Sequence, residues 1–278
     1  MTDTLSLNGL NKKEIVSKLT NFYKENENSR NILLKNMIHT TNKRAFFTID
    51  ENCNIKRKNG NFILASTLFI DEDEKFLEYL ANNIDLSDQD KYNENSIKRM
   101  SNEKVDILEK NSIKLVINGK LEFGIKYLYE LYKRDEERFF KFLSKIALMD
   151  NLDFNKSLYV YSLKKYFEKY GYSLEVFYYV ISYIIKVRFD LYEYENIQIS
   201  KNITKEQLKN RFFNNVAKYR NLEGLKLLSY LKLLLEYDFE NEEKYINILK
   251  NRMDKLEERN SLKDLDNITE EIFDKLIK

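Results

Sequence analysis

Apolar positions recur along most of this chain at helical spacing. The most apolar and aromatic stretch, residues 158–194, sets the centre on which the rest is expected to pack. Between Glu175 and Lys186 lie ten residues without charge, a pattern that makes a helix apolar almost all the way round and therefore buried. Gly171 and Ser173 divide the stretch into two helices, Gly171 suiting a left-handed C-terminal position and Ser173 an N-cap. Tyr159, Leu163, Phe167, Phe177, Val180, Ile181 and Ile184 are predicted to form the buried contact between them.

The flanking pattern is helical as well. Asn11 with Glu14 makes a capping box, and Leu10 is placed to staple onto Ile15, after which Ile15, Leu19, Phe22 and Tyr23 share a face. A second helix, about residues 30–39, carries Leu33, Leu34, Met37 and Ile38. Residues 44–64 break the pattern, with short apolar pieces and an Asn59-Gly60 pair that signals a two-residue hairpin turn; a small β-hairpin and an irregular loop both fit. One or two helices follow, with Phe76, Leu77 and Leu80 on a face. Residues 86–104 are polar and turn-forming, and read as a linker or mobile loop. Three segments result: 1–85, helical with the hairpin candidate; the linker 86–104; and 105–278, a succession of helices.

In that last segment Leu121, Ile125, Leu128 and Tyr132 share a face, Asp135 caps the next helix, and Phe139, Leu143, Ile146 and Met149 share another. Thr204 with Gln207 forms a second capping box, with Ile203 stapling onto Leu208. Thr269 is read as the last N-cap, with Ile268 stapling onto Phe273. Residues 222–237 and 241–260 give two further helices. In the second, Ile246, Leu249, Met253 and Leu256 form a narrow stripe beneath many charges. The fold class is all-α or predominantly α, as an irregular, α-solenoid-like array of antiparallel helical hairpins, with an orthogonal bundle as the competing arrangement.

The stretch FGIKYLYELYKRDEERFFKFLSKIALMD, residues 123–150, resembles a HEAT-type helical hairpin: an apolar-faced helix, an acidic turn at Asp135, and a second apolar-faced helix. The resemblance extends over about residues 120–260. It implies a solenoid whose curved face binds other macromolecules and brings no catalytic residues with it. The chain lacks the proline and the steady period of regular HEAT repeats.

Composition narrows the function. No proline and six glycines in 278 residues suit long helices, and 18 Phe with 20 Tyr exclude a disordered chain. Abundant Lys, Asn, Ile and Tyr match the bias of an AT-rich bacterial or phage genome. A net charge of +2 provides no global field for nucleic acid or anionic membrane. No apolar run is long enough to span a bilayer, and the N-terminus has no signal-peptide pattern. With Cys53 the single cysteine, a reducing compartment, the cytoplasm, is expected.

Candidate chemistry is sparse. Cys53 and His39, fourteen residues apart, are the only members available for a Cys-His pair, and no nucleophile motif surrounds them. Asp71–Asp73 with Glu74, and Glu240 with Glu242 and Glu243, precede apolar-periodic runs and read as carboxylates at helix N-termini. No phosphate-binding glycine loop occurs. Two basic patches stand out: Lys56, Arg57 and Lys58, shaped as a loop tip, and Lys205, Lys209 and Arg211 with Lys201, Lys218 and Arg220 around them. Either could touch phosphates or a partner. The expectation is a non-enzymatic protein without cofactor or metal, a scaffold, inhibitor or adaptor that binds another protein through a helical surface. The alternative is a helical RNA- or DNA-associated protein using the basic patches.

Overall fold

The computed structural model describes residues 7, 9–26, 29–41, 46–49, 51–53, 55–58, 60–84, 100–101, 103–152, 154–200, 203–259 and 265–278. These residues form fifteen α-helices and one two-stranded antiparallel sheet, so the fold is all-α in class. Most of the expected linker, 86–99 and residue 102, lies outside the described residues.

Local capping sets several helix starts. In α1 (Lys12–Glu25) the Asn11 side chain accepts from the Glu14 amide while Glu14 accepts from the Asn11 amide, the full capping box. After α2 (Ser29–Met37) a short 3-10 turn (Ile38–Thr40) carries His39. Strands β1 (Phe46–Ile49) and β2 (Ile55–Lys58) then pair with Phe46 opposite Lys58 and Ile49 opposite Ile55. Residues 51–53 lie between them, with Cys53 at φ +61°; Asn59 of the expected Asn59-Gly60 turn lies outside the described residues. Packing sets the residue at Gly60: a Cβ on it would meet the Tyr183 ring at 2.8 Å, so glycine is needed there for close approach.

Next come α3 (Ile63–Phe69) and α4 (Asp73–Asn82), whose first turn holds Asp73 and Glu74, as the helix dipole favours. Ser101 then ties the chain to α6 (Leu121–Arg134), which follows α5 (Val105–Ile117). The Ser101 amide and hydroxyl both donate to the buried Glu130 carboxylate, 2.9 Å each, and Arg134 pairs with the same group. Asp135 caps α7 (Glu136–Met149) by accepting from the Arg138 amide.

Helices α8 (Asn155–Tyr170) and α9 (Leu174–Lys186) pack on each other, and all seven residues expected at their contact are buried. Gly171 ends α8 at φ +77° and ψ −177°, an extended glycine conformation instead of the left-handed helical one. The remaining helices are α10 (Tyr192–Asn196), α11 (Lys205–Asn214), α12 (Val216–Tyr219), α13 (Leu222–Glu236), α14 (Glu242–Glu257) and α15 (Asn267–Ile277). Thr204 and Gln207 form the expected box at α11. At α15 the N-cap is Asp266, which accepts from the Thr269 amide; a carboxylate three residues earlier takes the role expected of Thr269.

Packing is not confined to chain neighbours. Helix α8 touches α3, α7, α9 and α13, and α13 touches α7, α11, α12, α14 and α15 as well. Helix α15 closes on α3, where the Asp71 amide donates to Glu271 at 2.7 Å and Lys275 pairs with Asp71 at 2.5 Å. The Tyr159 hydroxyl donates to the Asn61 carbonyl at 2.6 Å, and Tyr179 to its side-chain oxygen at 2.7 Å. Buried side chains from Leu7 to Leu276 belong to one hydrophobic cluster.

Candidate functional site

Two turns lie side by side where α7 runs into α8 and α9 into α10. Asp150 leaves α7 with extended backbone, and its Oδ1 accepts from the amides of Leu152 and Asp190 at 3.1 and 2.9 Å. Asp190 reciprocates: its carbonyl accepts from the Asn151 amide at 2.7 Å, its carboxylate from Asn151 Nδ2 and from the Tyr192 amide. The Tyr192 N–H, with Asn151, holds the Asp190 carboxyl below the ordinary aspartate value of 3.8.

Lys156, in the first turn of α8, locks the turns from inside. Its Nζ lies 2.6 Å from Asp150 Oδ2 and donates to the Val187 and Arg188 carbonyls at 3.1 and 3.4 Å. Three ammonium hydrogens thus meet three acceptors. The Phe189 ring covers the ammonium, its centroid 3.3 Å away, and neither Lys156 nor Asp150 has any exposed side chain.

Arg252 approaches from α14. It sits in the apolar register between Leu249 and Leu256, with its guanidinium carbon 3.4 Å from the centre of the Phe154 ring and 5.4 Å from that of Tyr230. One nitrogen, Nη2, donates to Glu193 at 3.1 Å and to the Asp150 carbonyl at 3.4 Å. The other two, Nε and Nη1, are closed to solvent and have no acceptor. Each such group costs about 1–3 kcal/mol when desolvated without a partner. Burial holds the guanidinium below its ordinary range, against the pull of Tyr230, Glu193 and Asp150.

Arg252 lines a cleft of about 240 Å³. Phe154, Leu227 and Leu256 form its apolar wall, Glu193 and Glu223 its acidic side, and Lys255 and Arg259 join Arg252 as its cations. Glu223 is also held by Lys226 at 2.9 Å. Beside it, the chain neighbours of lining residues Asn151 and Glu193 are two exposed apolar side chains, Leu152 at 49% and Tyr192 at 70%. The cleft thus combines an apolar wall and border with side chains of both charges.

The basic residues singled out from sequence lie elsewhere. Lys205 and Lys209 share α11 as expected, but Lys205 pairs with Asp238 and Glu242, both at 2.9 Å, and Lys209 with Glu206 at 3.2 Å. Arg211 reaches across to α14, pairing with Asp254 at 2.7 Å and holding both Glu257 oxygens, at 3.0 and 2.8 Å. Arg220 is held by Glu270 and Asp274. Lys201 lies outside the described residues. Lys56, Arg57 and Lys58 form most of β2, opposite Thr48, Phe47 and Phe46. Cys53 is exposed in the turn before them. Among the described residues no three His, Cys, Asp or Glu side chains are grouped to hold a metal ion, and no helix is long and apolar enough to cross a membrane.

Sequence reading missed Asp150, Lys156 and Arg252. One signal was available: Lys156 and Arg252 each occupy an apolar register, Lys156 four and seven residues before the buried Val160 and Leu163, Arg252 three after Leu249 and four before Leu256. A cation at a core position demands a buried acceptor. Compared with protein-family models, curated proteins and solved structures, the chain has no match in any of the three.

Proposed function

We propose that this is a non-catalytic binding protein that docks another protein on the face formed by residues 150–152, α10 and the end of α14. The observation that carries the reading is the display of Leu152 and Tyr192 beside the Arg252 cleft. Both side chains project from turns fixed by the Asp150 and Asp190 hydrogen bonds, so their ordering costs little on binding. Apolar anchors next to a polar recess are the usual anatomy of a protein interface. The single exposed cysteine fits a reducing compartment, and we place the interaction in the cytoplasm.

Binding to nucleic acid through Lys205, Lys209 and Arg211 is the weaker reading, because carboxylates already neutralise all three. Affinity purification from the native cell, with and without nuclease, tests the two together. A protein captured by the wild-type chain, retained after nuclease and lost with Leu152→Asp/Tyr192→Asp, is the expected result. Capture that vanishes with nuclease and ignores the double variant would overturn it.

A further inference from the structure

Helix α5 has Asn118 at its C-cap and Gly119 beyond it, one of three Asn-Gly pairs in the chain, with 8–9 and 59–60 the others. Both residues are exposed. The helix end is a complete Schellman motif. Gly119 takes the left-handed position at φ +65°, its amide donates to the Val116 carbonyl at 3.0 Å, and the Lys120 amide donates to the Leu115 carbonyl at 2.8 Å. The Asn118 side chain folds back, its Nδ2 donating to the Lys114 carbonyl at 2.7 Å.

Asparagine followed by glycine is the pairing most open to attack on its own side chain. The Gly119 nitrogen can close a five-membered ring on Asn118 Cγ, and glycine has no Cβ to hinder that approach. The closed cap opposes the reaction. Ring closure needs the Gly119 nitrogen to eclipse the Asn118 Cβ, whereas at ψ 6° it eclipses Asn118's own nitrogen. The Gly119 N–H is committed to Val116 and the Asn118 side chain to Lys114. Opening the last turn of α5 releases all of these restraints.

We propose that Asn118 is a site of spontaneous deamidation, reached through opening of the α5 C-cap. The Gly119 nitrogen loses its proton and bonds to Asn118 Cγ, the Cγ–Nδ2 bond breaks, and ammonia leaves with that proton, giving a succinimide. Water then adds at one of the two ring carbonyls and cleaves its bond to nitrogen, leaving aspartate or isoaspartate. Either product weakens the junction between α5 and α6. Aspartate sets a carboxylate against the Lys114 carbonyl at the negative end of the helix dipole, and isoaspartate adds a methylene to the main chain within the cap.

The test follows the full chain at neutral pH, folded and in urea, by site-resolved mass spectrometry of residue 118 with fragmentation that separates aspartate from isoaspartate. Both products are expected in the folded chain, forming at least about tenfold more slowly than in urea. Lys120→Pro removes the amide that bonds Leu115, at a position whose φ of −81° is near proline's own, and is expected to speed the folded-state reaction several-fold with the urea rate little changed. Equal rates in the folded chain and in urea would show that the cap is no gate. Absence of product in the folded chain while urea yields it would show that the site is closed. Either result overturns the inference, as does a Lys120→Pro chain that is folded by circular dichroism and reacts no faster than wild type. If that variant does not fold, the wild-type comparison decides alone.

Discussion

The Lys156 ammonium stands 2.6 Å from an Asp150 carboxylate oxygen with both side chains wholly buried. Removing one partner of such a pair leaves a charge in the interior with nothing to neutralise it, which costs about 3–5 kcal/mol. Lys156→Met is expected to lower the urea unfolding free energy by that amount. Lys156→Met/Asp150→Asn should recover part of the loss, because the second change removes the orphaned charge while keeping a side-chain oxygen for the Leu152 and Asp190 amides. A double variant that loses the full sum of two single losses would mean the pair is not coupled.

Arg252→Met should behave differently. The arginine is buried with two donors unsatisfied, so Met there removes groups that cost about 1–3 kcal/mol each, against the loss of its bonds to Glu193 and the Asp150 carbonyl. The two effects are expected to offset each other and leave the urea midpoint unchanged. A stability loss above about 2 kcal/mol would instead make Arg252 a structural strut.

Gly224→Ala tests the start of α13. A Cβ there would lie 1.8 Å from the Tyr219 carbonyl oxygen, a backbone atom that cannot swing away as a side-chain tip does. Since Asn221 both caps this helix through the Gly224 amide and donates to that same carbonyl, the turn has little slack. A loss of about 2–3 kcal/mol is expected. Wild-type stability in thermal and chemical melts would show that the turn yields.

Acid should loosen the contact between α11 and α14. Burial pushes the Asp254 and Glu257 carboxyls up, but hydrogen bonds from Lys250 and Arg211 to Asp254, and from Arg211 and Tyr219 to Glu257, outweigh it and leave both below their ordinary values of 3.8 and 4.5. Groups with depressed folded pKa values stabilise fully above their unfolded values, and that contribution disappears as pH falls through the folded ones. Stability is therefore expected to decline as pH drops from about 5 to about 3, and to decline less steeply in Arg211→Met. An equal acid slope in the two chains would remove this pair from the acid response.

What the sequence discloses depends on how local the energetics are. Asn11 with Glu14 and Thr204 with Gln207 are legible because both partners lie within one helical turn. Lys205 and Lys209 are placed on one helix correctly, whereas the carboxylates Asp238 and Glu242 that occupy Lys205 lie 33 and 37 residues on. The Asn59-Gly60 signal is genuine turn chemistry, but the space left by Tyr183 decides what Gly60 does. The cleft is hardest to see: Arg252 draws on Glu193, 59 residues earlier, and on the Asp150 carbonyl, 102 earlier. No window of sequence contains both.

The closure of α15 over α3 also sets a schedule for synthesis. The Asp71 amide must wait for Glu271, 200 residues further along. At about 5–20 residues per second the ribosome needs on the order of 10–40 s to make that stretch. Throughout it, the side of α3 destined for α15 has no partner helix, so the packing around α3 cannot be completed until α15 has emerged.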